Sequence, residues 1–171
     1  MAEIKIHVFH TGMVCVAPEL PFGGEHCNPI KASGIFGKKS DRLWLPVSAY
    51  LIECSHGKIL FDCGWNGTDG PVQKSYDVFG DGSLVMINIP GHCKGLCALK
   101  ITNEDGKYVL LFSDGGYAKK SWDKQITSGI ADDKEQQKKS LEWIREQSLN
   151  PDCVESLANH DSDIEPHIIK I

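Results

Sequence analysis

Short apolar runs separated by glycine-rich or polar turns make up most of the chain, and this pattern predicts a strand-rich protein. A Ser-His-Gly turn joins two of the predicted strands and an Asn-Glu-Asp-Gly turn joins two others, as in β-hairpins. The polar segments 18–42 and 66–82 are predicted to be loops. Strands are predicted over residues 4–9, 13–17, 48–54, 58–62, 84–89, 96–102, 108–112 and 154–158.

The pattern changes to that of an amphipathic helix between Asp132 and Ser148. Acidic residues at its start suit the helix dipole, and a narrow apolar stripe runs along one side, at Leu141, Ile144 and Leu149. An Asn-Pro pair ends the helix before the strand at 154–158. A strand, a helix and a further strand in this order predict an α/β layered fold rather than an all-β sandwich.

The chain has 171 residues, a length that predicts a single domain over 1–171 and burial of roughly 70% of its unfolded surface. No apolar run is long enough to cross a bilayer, so no membrane partner is expected. The first residues alternate like a strand and lack a signal-peptide core, which predicts the cytoplasm. A net charge of −5 disfavours a nucleic-acid partner, because phosphate binding needs a basic surface.

Seven cysteines, an odd number without a repeating frame, predict reduced thiols rather than a disulfide framework. Cys93 and Cys97 lie close to His92, so a Cys/His zinc site is one interpretation of this stretch. A structural zinc site needs a fourth ligand from a second close pair, and the sequence contains no Cys-x-x-Cys. This interpretation is therefore the weaker one.

Three metal-capable side chains follow predicted strands: His92 after a Pro-Gly turn, Asp114 before a Gly-Gly turn, and His160 near the C-terminus. Glycines let a backbone turn sharply where a side chain must point at a ligand. Taken singly, each of the three is ordinary turn chemistry. Together, a His/Asp/His set at three strand ends suits a borderline metal such as zinc.

Several motifs in this order along the chain resemble the metallo-β-lactamase superfamily. Residues 43–53 with 58–64 resemble its opening hairpin. Pro90-Gly91-His92 resembles the motif of its third metal-binding histidine, and Asn159-His160-Asp161 that of its final one. Asp114-Gly115-Gly116-Tyr117 resembles the bridging aspartate followed by the tyrosine of the N-acyl homoserine lactone lactonases.

The resemblance implies an αβ/βα sandwich with its active site at one edge, between two sheets. It also implies two metals, usually zinc, that polarise a substrate carbonyl and lower the pKa of a bridging water. By this resemblance His92 binds the first metal, Asp114 bridges and His160 binds the second. Tyr117 is implied to donate to the lactone oxygen, so Tyr117 and Asp114 are the expected catalytic residues. Asp62 is implied to support the metal-site loops.

The chain departs from the family in its middle. The family's His-x-His-x-Asp-His motif is expected between residue 64 and Pro90, yet no histidine occurs between His56 and His92. The sandwich is therefore expected to be incomplete, with the chain internally shortened between about 66 and 83. Leu96 stands where the family has a second histidine after the Pro-Gly-His turn. One ligand for each metal and the bridge between them remain.

Two functions follow from these observations. The first is a metal-dependent, lactonase-like hydrolase of a small lactone or related acyl ester, impaired by the missing ligands. The second is a catalytically inactive binding or scaffolding protein of the same fold. Loss of the middle segment is also expected to uncover an apolar sheet face or unpaired strand edges, which predicts a homo-oligomer or an aggregation-prone chain.

Overall fold

Two β-sheets face each other across the molecule. The computed structural model describes residues 3–62 and 75–171, without the side chain of Asp62, so the predicted role of that side chain and most of the predicted shortening lie outside the described residues. The strands are β1 Lys5–Val16, β2 Leu43–Cys54, β3 Gly57–Asp62, β4 Ser75–Asp77, β5 Leu84–Asn88, β6 Cys97–Thr102, β7 Tyr108–Leu111, β8 Cys153–Leu157 and β9 Ile168–Lys170. The helices are α1 Glu19–Phe22, α2 Pro29–Ser33, α3 Lys119–Asp123 and α4 Lys134–Ser148, with 3-10 turns at Lys39–Asp41 and Ser113–Gly115.

The first sheet has the strand order β3-β2-β1-β9 and the second has β4-β5-β6-β7-β8. All strand pairs are antiparallel except β7 with β8, which are parallel. A parallel pair needs a long crossover, and α4 lies within the crossover from β7 to β8. The predicted α/β layered class is therefore confirmed.

The main core lies between the two sheets, because alternate residues of each strand point inward. Ile6 and Ile52 come from the first sheet, and Val109 and Leu111 from the second; all four are completely buried. The predicted strands therefore supply the side chains of this core.

A second core lies between the second sheet and the helices. Leu141 and Ile144 of α4 are completely buried there, beside Leu110 and Phe112. The helix begins where Asp133 accepts a hydrogen bond from the Gln136 N–H, which satisfies an otherwise unpaired donor. Leu149 was predicted to share this stripe, but it is 60% exposed because it follows the last residue of the helix.

The first sheet has an exposed outer face. Phe9, Leu60 and Ile168 point to this side and are 42%, 70% and 54% exposed. No described helix covers them. Within the described residues, no helix is long and apolar enough to cross a membrane.

The two predicted loops contain short elements. The segment 18–42 includes α1, α2 and a 3-10 turn, and β4 lies within the segment 66–82. The strands predicted at 4–9 and 13–17 are one strand, β1, interrupted by a register shift between His10 and Gly12. α3 and β9 were not predicted, because a single helical turn and a three-residue strand show no hydrophobic period, and neither coincides with an apolar run bounded by turn residues.

Candidate active site

His92 lies in a turn that is held against the start of α4. The Gly91 and His92 carbonyls accept hydrogen bonds from the Asp133 and Asp132 N–H groups at 2.9 and 3.1 Å. Gly91 has φ +132°, and a Cβ there would lie 2.1 Å from the Gln137 nitrogen. Only glycine fits so close to the Gln137 backbone, so a glycine at position 91 is required for His92 to occupy its place.

Asp114 lies in the 3-10 turn that follows β7. The two glycines after it are packed tightly, since a Cβ on Gly115 would lie 2.6 Å from Ile89 and one on Gly116 would lie 2.9 Å from Ser121. Ser113 adopts φ +51°, an uncommon conformation for a residue with a side chain. The turn thus has little freedom, and it fixes the direction of the Asp114 carboxylate.

His160 follows β8 and is held by the first sheet. Its Nδ1 lies 2.6 Å from the Pro46 carbonyl oxygen. A carbonyl can only accept, so Nδ1 donates the proton and Nε2 is directed into the site. Ser48 Oγ donates to the Asn159 carbonyl and Tyr50 Oη to the Ala158 carbonyl, which fixes the backbone just before His160.

The Asp114 carboxylate lies between the two histidines. His160 Nε2 is 3.0 Å from Asp114 Oδ1, and His92 Nε2 is 3.8 Å from Asp114 Oδ2. Each carboxylate oxygen therefore faces one imidazole. The three residues that were predicted from strand ends are brought together, although they come from three separate parts of the chain.

Tyr117 contacts both imidazoles. Its ring stacks on His160 with centroids 5.1 Å apart and meets the edge of His92 at 5.8 Å. Burial, and secondarily the negative charge of Asp114, raise the pKa of the Tyr117 phenol well above its ordinary value. The phenol is therefore protonated at neutral pH and available as a hydrogen-bond donor.

Burial alone would lower the pKa of His160, but the hydrogen bond and charge of Asp114, with the Pro46 carbonyl, raise it above the ordinary value. In contrast, His92 Nδ1 is buried and has no hydrogen-bond partner within residues 3–62 and 75–171. The His160 imidazole is thus oriented by a carbonyl behind it, as metal-binding histidines usually are. The His92 imidazole has no such partner among the described residues.

A cleft of about 180 Å³ opens beside His160. Its lining includes the apolar residues Phe22, Leu43 and Trp44 and the polar residues Lys120, Asp161 and Ser162. Asp161 also accepts a hydrogen bond from the Lys119 N–H at 2.7 Å, which ties the start of α3 to the site.

Neither Asp161 nor the Pro46 carbonyl was predicted to serve the site. The position of Asp161 next to His160 was an available signal, whereas a backbone carbonyl leaves none.

The described residues do not complete a catalytic zinc site. At each of the two places where a metal could sit, these residues supply two donors, one histidine nitrogen and one Asp114 oxygen. Catalytic zinc usually has three protein ligands. Among the described residues, no group of three His, Cys, Asp or Glu side chains is arranged to hold a metal ion. Cys93 and Cys97 belong to no such group with His92, so the Cys/His interpretation gains no support.

The two facing sheets form a metallo-β-lactamase-like fold, which this chain shares with solved lactone hydrolases. The solved structure of a quorum-quenching N-acyl homoserine lactone hydrolase matches with TM-score 0.69 and 16% identity, over 95% of this chain and 94% of that one. Another structure of such a hydrolase, with N-hexanoyl-L-homoserine bound at its catalytic metal centre, matches with TM-score 0.67 and 16% identity, over 95% of each chain. The predicted sandwich fold is confirmed.

The sequence comparison points to the same proteins. The N-acyl homoserine lactonase AttM of Rhizobium radiobacter is 28% identical over 99 residues, which are 58% of this chain and 37% of that protein. The chain thus spans well under half the length of the relatives that it matches. No family model matches the chain. The predicted resemblance to the lactonase branch of the superfamily is confirmed.

Proposed function

We propose that the protein binds a lactone or related acyl ester at a lactonase-type site, and that its hydrolysis by this chain is impaired. The observation that carries this proposal is the Asp114 carboxylate, which turns one oxygen toward His160 and the other toward His92 while Tyr117 contacts both rings. The names of the similar proteins support the substrate class, since they are N-acyl homoserine lactonases and hydrolases.

Tyr117 is proposed to hold the substrate carbonyl. Its buried, protonated phenol donates a hydrogen bond to the carbonyl or lactone oxygen, where negative charge would develop during ring opening. His160 Nε2 is held in place by the Pro46 carbonyl behind it, and Asp114 keeps the imidazole turned toward the substrate. These contacts orient a ligand without any further group.

A metal at this site would supply a water of low pKa for attack on the carbonyl. The ligand set does not fit a catalytic zinc, because each position has one imidazole nitrogen and one carboxylate oxygen. We therefore expect binding of the ester to persist and its hydrolysis to be weak.

A second candidate function is that of a catalytically inactive binding protein with the same fold. The 3.0 Å contact between His160 Nε2 and Asp114 Oδ1 favours it, because an imidazolium protonated at both nitrogens would pair directly with the carboxylate and take up the lone pair that a metal needs. Binding without turnover distinguishes this function from that of a hydrolase.

The test combines ligand-observed NMR with a hydrolysis assay on an N-acyl homoserine lactone at neutral pH. We expect detectable binding with weak hydrolysis, whereas binding with no hydrolysis above background would support the catalytically inactive candidate. Tyr117→Phe should weaken binding about tenfold, the loss expected for one hydrogen bond of about 1.5 kcal/mol. Tyr76→Phe is the control, since Tyr76 is 67% exposed outside the site. Absence of binding would contradict the proposal, and rapid turnover would contradict the impaired site.

A further inference from the structure

Two large apolar side chains protrude from the segment that follows α2. Ile35 is 73% exposed and Phe36 is 88% exposed. Four cationic residues surround them in sequence. We call residues 30–42 the basic-apolar tip; its cations are Lys31, Lys38, Lys39 and Arg42.

The backbone forces this exposure. α2 ends at Gly34, which has φ +67°, and a hydrogen bond from the Gly37 N–H to the Gly34 carbonyl closes a four-residue turn at 3.0 Å. Ile35 and Phe36 occupy the two central positions of that turn, so their side chains point away from the protein.

The base of the tip is fixed to the domain. Ala32 is buried, and a Cβ on Gly34 would lie 2.6 Å from Ala17. Just before α2, the Lys134 ammonium donates to the carbonyls of Gly24 and Cys27 at 2.8 and 2.6 Å. The exposed turn therefore stands on an anchored base.

The charges around the tip are unbalanced. Within residues 3–62 and 75–171, none of its four cations forms an ion pair with a carboxylate, although the whole chain has a net charge of −5. Two adjoining clefts run along the tip. One contains Ile30, Lys31 and Phe36, and the other contains Lys38 and Arg42. Glu19 borders both clefts and Asp41 borders the second, which leaves a cationic excess.

We propose that the basic-apolar tip docks onto an anionic membrane surface. Phe36 and Ile35 enter the boundary between headgroups and acyl chains, while the lysines and Arg42 contact lipid phosphates. Protruding apolar side chains, flanked by cations that form no ion pair among the described residues, complement this surface in polarity and charge. The tip binds to the bilayer surface and does not cross the bilayer. No helix in the described part of the chain is able to span a membrane.

The test is sedimentation of the full chain with vesicles of phosphatidylcholine, alone or mixed with phosphatidylglycerol. We expect binding to the mixed vesicles, weakened by salt, and little binding to the neutral ones. Ile35→Ser with Phe36→Ser should lower the partition coefficient at least tenfold. Lys38→Gln with Lys39→Gln should lower it roughly fivefold for each charge removed.

Leu60→Ser is the matched control, because Leu60 is equally exposed, at 70%, on the outer face of the first sheet. Its binding should equal that of the unchanged protein, and circular dichroism should show all variants folded. No binding to the mixed vesicles would overturn the proposal. So would an equal loss in the control, or tip variants that convert a dimer into a monomer, since a second copy would then cover the tip.

Discussion

The outer faces of the two sheets differ sharply. The second sheet carries α3 and α4 on its outer side, and Leu141 and Ile144 are completely buried against it. The outer face of the first sheet leaves Leu60 and Ile168 more than half exposed. One half of the sandwich is thus complete in the described residues, and the other half is not.

The candidate site shows the same division. His92, Asp114 and His160 follow β5, β7 and β8, which all belong to the completed second sheet. The first sheet contributes the Pro46 carbonyl behind His160, but no metal-capable side chain among the described residues of the site. The ligands that the resemblance leads one to expect would follow β3. The incomplete half of the fold and the incomplete half of the ligand set therefore coincide.

The largest expected contrast is between Leu141 and Leu60. Leu141→Ala should lower the free energy of unfolding by about 3–5 kcal/mol, because it opens a cavity under α4. Leu60→Ala should change it by less than about 0.5 kcal/mol, as is usual for an exposed site. Urea denaturation of both variants measures the contrast. Similar losses would mean that the first sheet is covered in solution, as the predicted homo-oligomer requires.

A second contrast concerns glycines with positive φ. Gly91→Ala should cost about 2–3 kcal/mol, because its Cβ would collide with the Gln137 backbone and because φ is +132°. Gly106→Ala introduces only the backbone strain of a positive φ, since nothing lies within 4 Å of its Cβ. It should lower the free energy of unfolding by only about 1 kcal/mol. Thermal unfolding distinguishes them. Equal shifts would show that the turn before His92 is not held against α4.

The start of α4 offers a smaller test. Asp133→Ala should lower stability by about 1 kcal/mol, because the Gln136 N–H loses its side-chain acceptor. Asp132→Ala is the control, since Asp132 contributes a backbone N–H to the His92 turn but does not cap the helix. An unchanged denaturation midpoint for Asp133→Ala would exclude the cap as a source of stability.

Much of the fold was predictable because long elements repeat their pattern. The apolar run and following turn located the second half of β2, and the acidic start and apolar stripe located α4. β9 has only three residues, and the exposed position of Leu149 depends on where the helix ends. Residue types at strand ends singled out His92, Asp114 and His160, and the resemblance added Tyr117; the structure places the four side chains near one another. Their distances depend on contacts such as Nδ1 of His160 with a backbone carbonyl, which no pattern encodes.

The smallest effect concerns the contact that joins the ends of the two sheets. His56, between β2 and β3, lies 2.8 Å from Asp81, which precedes β5. Hydrogen bonds from Ser83 and then His56 lower the pKa of Asp81 from 3.8 to about 2. A carboxyl with a lowered pKa contributes stability above pH 3.8 that is lost as the pH falls toward 2. Asp81→Asn should therefore flatten the decline of stability between pH 5 and 2.5. An unchanged pH profile would contradict this.

The most direct test of the half-complete site is the zinc content of the purified chain. Elemental analysis after dialysis against a zinc buffer should give less than one tightly held zinc per chain, because the residues that the structure describes supply two donors to each metal position. His160→Ala should change this content little, while it removes the contact with Asp114. Two equivalents of zinc, lost together with lactone turnover in His160→Ala, would show a complete metal centre and contradict the account.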